Sequence, residues 1–495
     1  MKASRIAVLI TVFLIVFGVR LFLAFQTPEF NYDSYQELRQ VEHIKETGRH
    51  ISHDPLSYGG KDVGGSPFYS YILAAGTIFM PLDITLKVLP NAFISLLAVI
   101  IFFITLKITR KREVALFTAI ISGFVPIIYE TTLYNLSSLC LVIPLIFFCL
   151  HFFMSIKTSL PWFLVCFLAL TVISPLAFVL ILSLIFYLAL AKSEGLRMSR
   201  SELEVVLFTT FFGLWLQFLI HKNTLLFHGS SVIWKNIPAD MIGRFFSDLT
   251  VVESLVSIGV IPFVFGVYII YRYIFKEKDR AMHLFAALAI TLGLLLWMKL
   301  ILLSTGLSIL GIVLVILLGK FLQLFINYVQ KTKVARYKNL FLGVIFTVFF
   351  ITSIVPSVTI AQKQLVEDIP GQDEILALKW VESNSPEGTM VAELEEGYLV
   401  MAVAHRNTII NPDFLLTDNV AERISDVEEI FTGPHKTDAL SLLQKYNASY
   451  IYMSPKTMEK YDIIGLPYAD QCFPTVYDKG VKIYKVACRL EEGEG

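Results

Sequence analysis

The sequence predicts a polytopic α-helical membrane protein with a C-terminal soluble α/β domain. Three observations predict it. Hydrophobic residues make up 55% of the 495 residues and the mean hydropathy is +0.67, far above a soluble average. Apolar runs long enough to cross a bilayer recur up to about residue 358 and then stop. The net charge of zero hides a division at the same place, with 12 Lys/Arg against 23 Asp/Glu from Ala361 onward and 29 against 18 before it.

The runs fall near residues 4-25, 86-107, 113-128, 134-154, 159-173, 176-190, 203-221, 251-271, 281-298, 301-320 and 338-358, about 11 transmembrane helices. Lys2 and Arg5 precede the first run, which is longer than a signal-peptide core and has no small-x-small cleavage site after it. The first helix is therefore read as uncleaved, with its N-terminus in the cytoplasm. With that start, the clusters Lys107-Arg110-Lys111-Arg112, Lys157, Lys192-Arg197-Arg200, Arg272-Lys276-Lys278-Arg280 and Lys331-Lys333-Arg336-Lys338 all fall on the cytoplasmic side. The basic excess is thus assigned to cytoplasmic loops and not to nucleic-acid binding. Counting the short apolar stretch Pro67 to Met80 as a span would reverse every later cluster, so it reads as interfacial or re-entrant.

This parity gives a transmembrane domain, 1-360, in the plasma membrane, with external loops at 26-85, 129-134 and 221-254. Residues 361-495 form an extracytoplasmic α/β domain. In that tail Asp373 to Ser383 reads as a helix, Thr389 to Glu393 as a strand, Thr437 to Tyr446 as a helix feeding the strand Ser449 to Met453, and Phe473 to Val486 as a hairpin around Asp478-Lys479-Gly480. Cys472 and Cys488 flank the hairpin, either as a disulfide or as two buried thiols. Cys140, Cys149 and Cys166 lie in apolar runs, and no cysteine has metal-ligand spacing.

Candidate chemistry is sought in the outer loops. Asp33 follows the first span by a few residues and precedes a short helix, Ser34 to Glu46, closed by Gly48, whose Leu38, Val41 and Ile44 can face lipid headgroups. Its carboxylate is either a general base or metal ligand, or the N-cap of that helix. Glu130, in Tyr129-Glu130-Thr131-Thr132, is either a second acid of the site or a solvated helix end. The glycine-rich Gly59-Gly60-Lys61-Asp62-Val63-Gly64-Gly65 lacks phosphate-loop order and reads as a flexible loop.

Asn31-Tyr32-Asp33-Ser34-Tyr35, then Arg39, then His53-Asp54-Pro55-Leu56-Ser57-Tyr58, resembles the first external loop of GT-C-fold glycosyltransferases. It is most similar to archaeal relatives of the oligosaccharyltransferase catalytic subunit and, more distantly, to protein O-mannosyltransferases. The resemblance implies that Asp33 is the catalytic carboxylate. Thr250-Val251-Val252-Glu253 resembles the family's Thr-Ile-x-Glu signature, so Asp33, Glu130 and Glu253 become expected ligands of a divalent cation, Mg²⁺ or Mn²⁺. Arg39, Asp54, His228, Lys235, Arg244 and Lys299 become expected substrate-binding residues.

One departure narrows the expectation. Where oligosaccharyltransferases carry Trp-Trp-Asp-Tyr-Gly, this chain has Val391-Ala392-Glu393-Leu394-Glu395-Glu396-Gly397-Tyr398, keeping Gly397 and neither tryptophan. The function expected is transfer of a sugar from a polyprenyl or dolichyl phosphate carrier, on the outer face, to a protein, lipid or glycan acceptor. The alternatives are a divergent oligosaccharyltransferase and a transporter or flippase of lipid-linked sugars. Transport is disfavoured because the spans hold few charges and no internal repeat is visible.

Overall fold

The structure, a computed structural model, describes residues 2–239, 241–246, 250–333 and 335–490. It divides into two compact units, one of Met1–Pro28, Ser66–Ile220 and Gly243–Glu367, the other of Glu29–Gly65, His221–Ile242 and Asp368–Gly495. The division differs from a single cut at residue 361, because Glu29–Gly65 and His221–Ile242 fold with the tail.

The first unit is helical. Among the described residues seven helices are long and apolar enough to cross a membrane, and nine spans result if each bent pair counts as one. The bent pairs are Arg112–Ser122 with Pro126–Thr132 and Val252–Ile258 with Val260–Phe275. Two shorter apolar helices, Leu139–Phe153 and Ala177–Ser193, occupy the remaining expected positions. Phe68–Gly76, at nine residues, rises only about 14 Å, too little to span. The last span candidate, Gly343–Asn384, is 42 residues long, and only its apolar first part belongs to this unit.

Polar groups inside such a bundle must find partners. Arg20, fully buried near the end of Lys2–Ala24, donates to Asn91 Oδ1 (2.9 Å) and Thr132 Oγ1 (2.8 Å), with its guanidinium 4.8 Å from the Tyr129 ring. Three helices are tied at one buried cation. Lys87 donates to the carbonyls of Ala24 (3.0 Å) and Thr27, closing the first helix just before the loop that follows it.

The second unit is built on a five-stranded sheet. Its strands are β3 (Thr389–Val391), β4 (Asn407–Thr408), β5 (Ala448–Met453), β6 (Thr475–Asp478) and β7 (Lys482–Lys485), in the order β4-β3-β5-β7-β6. β3 runs parallel to β4 and β5, and β7 antiparallel to β5 and β6. A two-stranded ribbon, β1 (His53–Asp54) and β2 (Lys61–Asp62), comes from the loop after the first helix. That loop covers the sheet edge: Tyr58 N–H donates to Thr408 C=O and Thr408 N–H to Leu56 C=O, both at 3.0 Å. Pairing an exposed edge removes a template for unwanted association.

The predicted tail elements appear within a residue or two, and Cys472 and Cys488 are joined as a disulfide. The helix Ser34–Thr47 differs in its partner. Val41 and Ile44 are buried and Leu38 packs against the sheet's apolar core, so the face expected to meet headgroups is turned into protein. Tyr32 and Tyr35 belong to that core, with Leu378, Met390, Leu399 and Tyr452.

Candidate active site

The residues expected to carry chemistry lie in two places, one in each unit. In the second unit, Asp33 stands at the N-cap position of Ser34–Thr47 with helical backbone angles (φ −64°, ψ −27°), and its side chain makes no capping bond. Capping normally requires an extended residue there. Asn31 acts as the cap instead, its Oδ1 accepting from Ser34 N–H at 3.2 Å and from the Ser34 hydroxyl. Both flanking tyrosines are tied: Tyr32 Oη donates to Glu374 Oε2 (2.9 Å) and Tyr35 Oη to Glu29 Oε2 (2.7 Å). Among the described residues Asp33 alone in this turn has no side-chain hydrogen bond.

Its electrostatic surroundings are mixed. The carboxylate is reached by solvent but crowded by protein, and the water this displaces holds it above the ordinary aspartate range. Glu395 pushes the same way, the ammonium groups of Lys235 and Lys456 oppose it, and Asp368 adds a smaller push. Lys235 is exposed and in the left-handed region (φ 53°). Lys456 lies 4.3 Å over the Tyr32 ring and pairs with Glu395 at 2.7 Å.

The acidic turn Glu393–Gly397 sits where the family pattern has its tryptophans. Its carboxylates are all engaged within the unit. Glu393 accepts from Lys460 and from Glu395 N–H (2.7 Å), while Glu396, wholly buried, accepts from Ser454 and from Thr457 Oγ1 (2.8 Å). Burial pushes Glu396 up to about 8 and Glu374 up to about 7; hydrogen bonds from Ser454 and Tyr32, respectively, are the largest opposing causes. Gly397 is retained for space, since a Cβ there would lie 2.5 Å from the Ile410 carbonyl oxygen.

In the first unit, Glu130 and Glu253 line one cavity of about 470 Å³ with Ser257, Ser304, Phe245 and five aliphatic residues. This is within the size range of small-molecule sites. Glu130 is the one exposed residue of Pro126–Thr132, and its carbonyl accepts from Gln364 Nε2 at 2.8 Å. Glu253 closes a capping box: its Oε2 accepts from Thr250 N–H (2.8 Å) and Oγ1 (2.9 Å), and Thr250 Oγ1 accepts from Glu253 N–H (3.3 Å). The Thr-x-x-Glu spacing thus has a local structural purpose.

Among the described residues no group of three or more His, Cys, Asp or Glu stands close enough to hold an ion. One Glu253 oxygen is taken by the capping box. Mg²⁺ is commonly held by one or two carboxylates with water and substrate phosphate completing its shell, and Glu130 and Glu253 are two carboxylates that line one cavity.

Three of the other expected residues, Arg39, Asp54 and His228, are held internally. Arg39 and Asp54 form a forked ion pair, Nη1 to Oδ2 at 2.9 Å, and Asp54 also accepts from Leu56 N–H at 3.0 Å. His228 Nε2 accepts from Leu416 N–H at 2.7 Å, joining two loops of the second unit. Lys299, in the first unit, has a left-handed backbone (φ 54°) just after Arg280–Trp297. Arg244 is in the helix Ile242–Phe245, and its side chain lies outside the described residues. Sequence reasoning missed Glu395 and Lys456 near Asp33, and Glu374 on the Tyr32 phenol, because all three are more than 340 residues away in the chain.

No protein-family model matches the chain, and no curated protein is similar to it in sequence. Solved structures are similar in fold. The oligosaccharyltransferase AglB of Archaeoglobus fulgidus, in complex with an inhibitory peptide and a dolichol-phosphate, has a TM-score of 0.67 at 15% identity, over 90% of this chain and 70% of its own. The same enzyme has also been solved with Zn and sulfate. ArnT of Cupriavidus metallidurans, bound to undecaprenyl phosphate, has a TM-score of 0.55 at 12% identity, over 98% of both chains. The arabinofuranosyltransferase AftD from Mycobacteria has a TM-score of 0.56 at 14% identity, over 96% of this chain and 40% of its own.

Proposed function

We propose, from the premise that the chain has the fold of GT-C glycosyltransferases, that it moves a sugar from a polyprenyl or dolichyl phosphate carrier to an acceptor on the outer face of the membrane. The N-terminus is then cytoplasmic and the sheet unit extracytoplasmic. The observation that carries the reading is the uncapped carboxylate of Asp33, left without a bond in a turn whose neighbours are all bonded.

In this reading the acceptor oxygen attacks the anomeric carbon, and the bond from that carbon to the carrier phosphate breaks. The phosphate leaves with the electron pair, and the acceptor proton passes to Asp33. A carboxylate held above the ordinary aspartate range is a better base than an ordinary aspartate. Lys235, within electrostatic reach of Asp33, is suited to pair with the leaving phosphate.

The divergent oligosaccharyltransferase reading is weakened by the Glu393–Gly397 turn, whose acids are engaged by Lys456, Lys460, Ser454 and Thr457. Purified protein with labelled polyprenyl-phosphate and pyrophosphate sugars, with and without Mg²⁺ or Mn²⁺, tests the proposal. Transfer to a lipid or glycan acceptor is expected, and transfer to a sequon peptide would restore the oligosaccharyltransferase reading. Donor binding with no transfer to any acceptor would move the assignment to a transporter or flippase.

A further inference from the structure

The turn Asn31–Tyr35 contains an imbalance. Asn31, Tyr32, Ser34 and Tyr35 all make side-chain hydrogen bonds, and among the described residues Asp33 makes none. Tyr32, directly before it, is buried, and its phenol reaches Glu374 Oε2 in the first turn of Gln372–Asn384 at 2.9 Å. Glu374 is itself only 5% exposed. A carboxylate taken out of water is unfavourable unless it is hydrogen-bonded, and an apolar residue would fill this core position without that cost. The ring of Tyr32 is also fixed from above, by the Lys456 ammonium at 4.3 Å, and Lys456 is held by Glu395 at 2.7 Å. Ser454 and Thr457, on either side of Lys456, are anchored on Glu396. The side chain before Asp33 is thus clamped at its hydroxyl and on its ring face, by parts of the chain far away in sequence.

We propose that Tyr32 and Glu374 are a positioning pair that aims the Asp33 carboxylate. The pair does not touch substrate; it sets the orientation of the turn, through the backbone between Tyr32 and Asp33. The inference rests on the reading of Asp33 as the base of glycosyl transfer, and it adds two residues that the reading does not contain. An orienting bond that tolerates no slack has a characteristic signature, because a misplacement of about 1 Å at a reacting group lowers turnover by about 100-fold without altering substrate affinity.

Tyr32→Phe and Glu374→Gln, made singly and together in the full chain, test it with two readouts. Turnover should fall by roughly 10- to 100-fold in each single variant with the donor KM unchanged, and the double variant should be no worse than the poorer single one. Hydrogen exchange of the Asn31–Tyr35 amides should quicken in all three while the sheet strands keep their protection. Glu374→Asp, which keeps the acceptor, should recover part of the turnover. Unchanged exchange at the turn overturns the proposal whatever the activity. So does quickened exchange with full turnover, or additive losses in the double variant. If the wild-type protein transfers no sugar, the reading of function fails by itself, and the exchange measurement still decides whether the pair fixes the turn.

Discussion

The Asp33 turn and the Glu253 helix start are both acids at the N-terminal edge of a helix, and they differ in what binds them. Glu253 is absorbed by its own capping box, so its presence in the sequence is accounted for by local structure. Asp33 occupies the position where capping is expected, yet Asn31 does the capping and Asp33 is left over. Resemblance to a motif marks both acids equally. The difference teaches that an acid is a strong functional candidate when its local duty has been given to a neighbour.

This comparison can be broken by stability measurements on the full chain. Bonded residues should lower stability when removed, whereas Asp33 should not. The largest expected effect is at Arg39, whose loss would strand the buried Asp54 carboxylate. Arg39→Ala should destabilise the sheet unit by about 3 kcal/mol in denaturant unfolding, against no measurable change for Asp33→Asn. Removing the Cys472–Cys488 disulfide closes off a constraint on a short loop and should lower stability by about 2 to 3 kcal/mol, read by melting with and without reductant. An unchanged melting temperature would show that the hairpin is held by β6 and β7 alone.

A pH titration sharpens the contrast further. Glu396 and Glu374 hold their protons more tightly folded than unfolded, at about 8 and about 7. Between the ordinary glutamate value and these, the folded state binds more protons than the unfolded one. Stability therefore falls as pH rises, and is lowest above about pH 8. Glu396→Gln should flatten the fall and raise the melting temperature at pH 8.5 by a few degrees (~4 °C). A wild-type melting temperature independent of pH between 5 and 8.5 would contradict the assigned burial. The smallest effect is at Glu253, where Glu253→Ala loses one side of the capping box, about 1 kcal/mol. Local hydrogen exchange of the amides after Thr250 would register it.

Much of this fold was legible in the sequence, and for a physical reason. Crossing a bilayer demands long apolar runs, and each expected run corresponds to a helix, a bent pair or a short apolar helix. The strands of the tail were legible for a similar reason, since Ser449 to Met453 and Val481 to Val486 are apolar and β-branched between clear turns. The unit boundary was not legible. Nothing in Leu56-Ser57-Tyr58 signals that it will pair with Thr408, because edge pairing uses backbone groups that every residue carries. The lipid-facing reading of Leu38, Val41 and Ile44 failed likewise, as periodicity reveals an apolar face but not what covers it. Asp33 stands out in the sequence through a motif, whereas Glu395 and Lys456 come near it, and Glu374 reaches Tyr32, only through folding. Of the three metal ligands that the resemblance implies, Glu130 and Glu253 line one cavity.

The central claim is that Asp33 performs chemistry and not scaffolding. Its most direct test is a side-by-side measurement of donor binding and sugar transfer by the wild-type protein and Asp33→Asn, with the donor that gives turnover. The account predicts equal donor affinity, equal melting temperature and a transfer rate lower by roughly 10²- to 10⁴-fold in the variant, the range for loss of a positioned base. Transfer by Asp33→Asn at the wild-type rate would contradict it.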